Sequence, residues 1–238
     1  MDYRKDEMEL KFEQTTRRGF ITASASGILM FMTSAAFAEE LMRTPQLTEG
    51  PYYPDKLPLD RDNDLIIIGK SITPAIGTIT HLTGRVLDTN GNPIKNALVE
   101  IWQCDANQVY LNSRDSVPKA AQRDKNFQGY GTFETGSKGD YYFRTIKPVP
   151  YAGRTAPHIH MRVKKGGREL LTTQLMIRGF AGNATDGVFG STRDILDREL
   201  IVADFKPLKT SKIGELTANF NIVVGRTPNE SEMADHQH

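Results

Sequence analysis

From His81 onward, apolar and polar residues alternate in short runs broken by turn formers, a spacing that sends every second side chain to one face of a strand. Leu82-Thr83-Gly84-Arg85-Val86-Leu87-Asp88 is the first such run, and Asn90-Gly91-Asn92-Pro93 after it predicts a hairpin. Further strands are expected over Ala97 to Trp102, Tyr141 to Ile146, His158 to Val163, Leu171 to Ile177 and Ala218 to Val224. Tyr141 and Tyr142 would take one inward and one outward position. Short strands with regular turns pack as two sheets over one core, so the pattern predicts an all-β fold, a single β-sandwich domain with little helix. The best helical stretch is Ser191 to Val202, where Ile195, Leu196, Leu200 and Ile201 give a rough apolar stripe, and it should be peripheral. No internal repeat is apparent.

Composition divides the chain further. Residues 39–80 contain Pro45, Pro51, Pro54, Pro58 and Pro74, which resist regular helix and favour an extended arm wrapped on the sandwich of residues 81–226. Residues 227–238, with Glu230, Glu232 and Asp235, read as a disordered polar tail. At the other end, Thr16-Arg17-Arg18-Gly19-Phe20-Ile21 precedes an apolar stretch from Ile28 to Phe37, and Ala36-Phe37-Ala38 offers small residues for cleavage. Residues 1–38 therefore have the layout of a twin-arginine signal peptide. They imply the twin-arginine export machinery as a partner, a mature chain beginning near Glu39 and a periplasmic or secreted location. Ser24, Ser26, Gly27, Thr33 and Ser34 interrupt the apolar run, so no stable membrane span is expected.

Thirty basic residues against 29 acidic ones leave no strong field to attract nucleic acid or an anionic membrane. One cysteine, Cys104, excludes an internal disulfide and reads as a small buried hydrophobe.

The chemistry-bearing pattern is His158-Ile159-His160, two imidazoles at i and i+2 of a strand and thus on one face, able to reach one metal ion. A His-x-His pair alone is equally compatible with ordinary packed residues. Of the five histidines, His236 and His238 fall in the polar tail and His81 at a strand edge. Eight tyrosines are present, and position alone does not separate a ligand from a packing residue among them. Trp102 reads as core.

Over about Thr48 to Val224 the chain resembles the intradiol ring-cleavage dioxygenases, the protocatechuate 3,4-dioxygenase and catechol 1,2-dioxygenase type. The resemblance lies in an ordered set of motifs. Thr48-Glu49-Gly50-Pro51-Tyr52 comes first, then Gly84-Arg85-Val86 through Pro93-Ile94, then Ala97-Leu98-Val99-Glu100-Ile101-Trp102-Gln103 with Tyr110 beyond. Asp124 to Gly129, Gly139 to Ile146, Pro148-Val149-Pro150-Tyr151 and Pro157-His158-Ile159-His160 complete it.

The resemblance implies one non-haem Fe(III) per chain, bound by Tyr110, Tyr151, His158 and His160. It implies a catechol-type substrate and O2, opened to a cis,cis-muconate-type diacid, with Tyr151 leaving the metal as it accepts a substrate proton. Arg154 and Gln174 match the family's cation and amide that face developing negative charge, although Arg154 stands four residues before His158 where three is commoner. Thr48, Gly50, Pro51 and Tyr52 match the arm that closes over substrate. No long helical stretch precedes the motifs, which favours the protocatechuate-like branch and leaves self-association open. The alternative is a non-catalytic transthyretin-like or carboxypeptidase-regulatory-like β-sandwich, since the Gly84 to Val99 pattern is shared with such binding modules.

Overall fold

The computed structural model describes residues 40–225. The signal-peptide reading of residues 1–38 and the polar tail over 227–238 lie outside them.

Alternation builds the first strand, β1 (Ile79–Leu87), which buries Leu82 and Val86. It is followed by β2 (Leu98–Trp102), α1 (Ser113–Ser116), β3 (Tyr130–Glu134), β4 (Asp140–Ile146), β5 (His158–Lys165) and β6 (Arg168–Ile177). A 3-10 turn (Ala181–Thr185), α2 (Gly187–Ser191) and α3 (Ile195–Glu199) then lead to β7 (Val202–Ala203), β8 (Lys206–Pro207), β9 (Leu216–Asn219) and β10 (Ile222–Val223). The strands form two sheets. In the first, β1 pairs with β4 along one edge, while β9 and then β10 pair parallel to it. The second has the order β3-β2-β5-β6-β7. Between them lies one apolar core, with Leu82, Val86, Phe143, Ala218 and Ile222 on one side and Val99, Ile101, Ile159, Met161 and Leu175 on the other. Tyr141 is buried and Tyr142 only partly so, as a period of two requires. This is the all-β sandwich expected from the alternation.

Three local expectations change. The turn after β1 forms, with Leu87 bridging Pro93, but no hairpin follows, because β2 pairs with β3 and β5 in the other sheet. The Asp88 carboxylate accepts the backbone N–H groups of Asn90 and Asn92, ending the ladder, and Thr135 Oγ1, just beyond β3, accepts the Ala97 N–H at 2.9 Å where β2 begins. The single helix expected over Ser191 to Val202 is instead α2 and α3, broken at Thr192 and restarted by Asp194, whose side chain caps Leu196 N. Ile195 and Leu196 are 72% and 55% exposed, so no apolar ground holds one longer helix together. The last strand is interrupted at Phe220 and Asn221, and the Asn221 side chain accepts the Arg85 N–H.

Residues 40–78 carry no strand or helix, only an isolated bridge from Asp64 to Arg144. Their backbone is pinned at intervals, Thr44 N–H to Val223 O and Leu47 N–H to Thr172 O, each 2.9 Å, so the arm crosses from the first sheet to the second. Leu65 and Ile66 anchor it in the core. That crossing brings residues 48–53 onto the outer face of β5.

Candidate active site

The site is laid out by register in the second sheet. His160 on β5 is directly opposite Trp102 on β2 and Gln174 on β6, and His158 opposite Met176. Because β5 alternates, Ile159, Met161 and Val163 face the core while His158, His160 and Arg162 share the other face. That face is also buried, since the arm and the loops after β2 and β4 cover it.

Tyr110 reaches the histidines from the loop after β2. Asp105 shapes that loop by accepting the N–H groups of Asn107 and Val109, both at 2.9 Å, and Asp115 accepts Tyr110 N–H at 2.8 Å. The Tyr110 hydroxyl then lies 3.3 Å from His158 Nε2 and 3.2 Å from His160 Nε2. Tyr151 arrives on the loop between β4 and β5. Its ring meets Tyr110 edge-on with centroids 5.3 Å apart and tilts against His158 at 5.6 Å.

A tight turn joins Tyr151 to Arg154 through reciprocal backbone hydrogen bonds of 3.0 and 2.9 Å. Gly153 at φ +85° supplies the left-handed residue that turn needs. From this turn the Arg154 guanidinium points into the site. Its Nε donates to Asp186 at 2.9 Å, Nη2 to Gln174 Oε1 at 2.8 Å, and Nη1 lies 3.2 Å from His158 Nε2.

The arm closes the layer. Gln174 Nε2 donates to Thr48 O at 2.8 Å, and Thr48 Oγ1 accepts Gly50 N–H at 3.1 Å. Gly50, at φ +72°, lies so near His160 that a Cβ there would sit 3.3 Å from the ring Cε1. Tyr52 stacks on Tyr110 at 4.9 Å. Pro51 is exposed and enters none of these contacts. Of the residues singled out in the sequence, the structure thus gathers Tyr110, Tyr151, His158, His160, Arg154 and Gln174, with Tyr52, Gly50 and the Thr48 backbone above them.

The electrostatics are those of a buried neutral donor set. Burial, reinforced by the Arg154 charge, lowers His158 to about 4. Burial and then the neighbouring His158 push His160 well below the ordinary imidazole value, so both rings are uncharged near neutral pH. Burial raises Tyr110 well above the usual phenol value and also raises Tyr151. Such phenols stay protonated unless a cation shares their oxygens. His158 Nδ1–H donates to Ala156 O at 2.7 Å, which leaves its Nε2 lone pair facing Tyr110. His160 Nδ1 is buried with no partner among the described residues, and this ring is held by stacking on Trp102, 4.9 Å away and 6° from parallel. No group of three or more His, Cys, Asp or Glu able to hold a metal exists among the described residues, so an ion bound here would need tyrosine oxygens.

Sequence reasoning did not find four contributors. Trp102 was read as core, and it is fully buried, but its ring is the platform for His160. Arg162 holds the arm: it pairs with Glu49, its Cζ sits 4.5 Å over the Tyr53 ring, and it lies i+2 from His160. Asp105 could have been seen, since Asp-x-Asn before a hydrophobic is turn-forming chemistry. Asp186 gives no local sign of its long-range role.

Comparison with known proteins gives consistent matches. A family model described as Dioxygenase matches residues 48–224. The chain is 34% identical to the protocatechuate 3,4-dioxygenase beta chain of Burkholderia cepacia over 172 residues, covering 68% of this chain and 71% of that one. It is 28% identical to the hydroxyquinol 1,2-dioxygenase of Corynebacterium glutamicum, covering 59% of this chain and 48% of the relative, about half its length. Among solved structures, the dioxygenase domain of a dioxygenase carbohydrate-binding protein fusion from Streptomyces sp. SirexAA-E aligns with TM-score 0.59 and 26% identity, covering 78% of this chain and all of that domain.

Proposed function

Because the chain belongs to the intradiol ring-cleavage dioxygenase family, we propose that it opens a catechol-type ring with O2 to a cis,cis-muconate-type diacid, with Tyr110, Tyr151, His158 and His160 holding one non-haem ferric iron. The observation that carries this reading is the convergence of both His Nε2 atoms on one phenol oxygen, at 3.3 and 3.2 Å, inside a buried layer. Two hard oxygens with two imidazole nitrogens suit an oxidised iron. Bound there, the ion would act as a Lewis acid toward the substrate hydroxyls and tyrosine phenols.

The chain's own residues supply the rest. With the ion bound, Tyr151 would be held as a phenolate, and because burial raises its proton affinity its Oη would then accept a proton from a substrate hydroxyl. Arg154 offers its Nη1 edge to the negative charge that deprotonation leaves on the substrate, held in plane by Gln174. Tyr52 and Gly50 roof the site and exclude water. Similarity to a protocatechuate 3,4-dioxygenase chain over 71% of its length supports a protocatechuate-like substrate. A transthyretin-like binding module would have no use for the phenol, imidazole and guanidinium groups gathered here.

Oxygen uptake by the iron-loaded chain against catechol, protocatechuate and hydroxyquinol tests the activity. A muconate-type product and a visible tyrosinate charge-transfer band are expected; an extradiol product, or no uptake with any of them, would refute it. The same reading includes export by the twin-arginine route, with residues 1–38 removed. Mature protein should begin near Glu39, and an intact Met1 on periplasmic protein would contradict that.

A further inference from the structure

We propose that Asp186 is a positioning residue for this site, one carboxylate that sets both the aim of Arg154 and the tautomer of His158. The proposal rests on the ring-cleavage reading above. Asp186 stands 32 residues from Arg154 along the chain, and its side chain is completely buried. Oδ2 accepts Arg154 Nε–H at 2.9 Å and Ala156 N–H at 3.1 Å, while Oδ1 accepts Val188 N–H at 3.0 Å and Phe189 N–H at 3.1 Å.

Each bond on Oδ2 reaches a different part of the site. A guanidinium held at one point pivots; held at Nε by Asp186 and at Nη2 by Gln174, its plane is fixed and its Nη1 edge faces His158. The second bond pins Ala156 at its backbone N–H, and the carbonyl of the same residue, in the next peptide group, accepts His158 Nδ1–H. That carbonyl keeps the proton on Nδ1 and the lone pair on Nε2, where a metal would bind. Among the described residues His160 has no equivalent partner at Nδ1. Only His158 of the two imidazoles is hydrogen-bonded at Nδ1 among the described residues, and that chain of bonds ends on Asp186.

The segment bearing Asp186 is built against the same loop. Gly182 lies so close to Thr155 that a Cβ would sit 2.2 Å from its carbonyl oxygen. Thr155 Oγ1 donates to Gly182 O at 2.7 Å and meets Thr185 Oγ1 at 3.0 Å. Capping α2 does not account for this arrangement. Asp194 caps α3 in the same way, accepting Leu196 N–H at 2.7 Å, and its side chain makes no hydrogen bond to Arg154.

Asp186→Asn separates the roles, because asparagine caps a helix as well as aspartate but gives Arg154 no charge. In the iron-loaded full chain, kcat for protocatechuate should fall by ~10- to 100-fold with KM altered less than ~3-fold, the scale of lost outer-shell support. The metal-free variant should still unfold cooperatively, at a melting temperature lowered by the amide NH2 that replaces one accepting oxygen. In an Arg154→Ala background the same change should cost less in kcat, because only the branch through Ala156 to His158 remains. Undiminished kcat, or an equal loss with and without Arg154, overturns the proposal.

Should Asp186→Asn not fold, nitrogen-15 NMR of the unsubstituted metal-free chain decides. Slowly exchanging Arg154 Nε–H and His158 Nδ1–H protons are expected; solvent-rate exchange at Nε, or a proton on His158 Nε2, overturns it. No turnover of any catechol by the unsubstituted iron-loaded chain would sink the ring-cleavage reading, while the NMR result would still decide what Asp186 does.

Discussion

The two faces of β5 are both buried, and they are buried for different purposes. Inward, Ile159, Met161 and Val163 meet the other sheet in an apolar core, where any side chain of suitable volume would serve. Outward, His158, His160 and Arg162 lie beneath the arm, where every polar atom needs a named partner. His158 has Ala156 O, Tyr110 and Arg154; Arg162 has Glu49, Glu169 and Thr172. His160 Nδ1 has none among the described residues. A buried polar layer of this kind is expensive for a protein concerned only with folding, which locates function on the outer face and stability on the inner one.

Substituting adjacent residues breaks that division most sharply. His160→Gln retains a polar side chain but removes an imidazole from the converging set. Turnover should fall by at least about a thousand-fold, as when a member of a catalytic unit is removed. The tyrosinate band should shift or bleach, and the metal-free chain should still unfold cooperatively. Retention of both turnover and band would remove His160 from the site. The next largest effect comes from the neighbouring inward residue. Ile159→Ala deletes buried core volume and should cost roughly 2–5 kcal/mol of stability by denaturant titration. The folded fraction should keep the parent's band and kcat, and a lost band in molecules still folded would show that the two faces are not separable.

What the sequence disclosed follows the same line. The inward face was legible because alternation reports burial against a single core, and β1, β2, β4, β5 and β6 fall within a few residues of the expected runs. The outward face was legible only where a motif carried it, in His158-Ile159-His160 and the tyrosines. β3 was not foreseen, because Tyr130-Gly131-Thr132-Phe133-Glu134 shows little alternation and Gly131 is there to admit the arm, with Leu65 Cδ1 2.6 Å from where a Cβ would be. The β1 hairpin was misread because Asn90-Gly91 specifies a turn and says nothing about which sheet the chain enters next. Asp186 was invisible for a related reason: its partners are fixed only once β6 and the following turns have folded back on the Tyr151 to Arg154 turn.

The smallest expected effect concerns how the outward face is covered. Glu49 pairs with Arg162, yet its side chain is 46% exposed, whereas Arg162 is nearly buried between Tyr53 and Trp102. An ion pair so placed is worth about 0.2–1 kcal/mol, so it can bias the arm toward the closed position without holding it there alone. Leu47 N–H on Thr172 O and Gln174 on Thr48 O carry the backbone in any case. Glu49→Gln keeps length and hydrogen-bonding capacity and removes only charge. KM for protocatechuate should rise by less than ~5-fold, the upper end of that energy range, with kcat unchanged. The parent's KM should climb toward the variant's value as salt is raised, because salt screens a half-exposed pair. A fall in kcat instead would mean that Glu49 acts on the chemistry through Arg162 and His160, and that the arm is part of the catalytic layer rather than its cover.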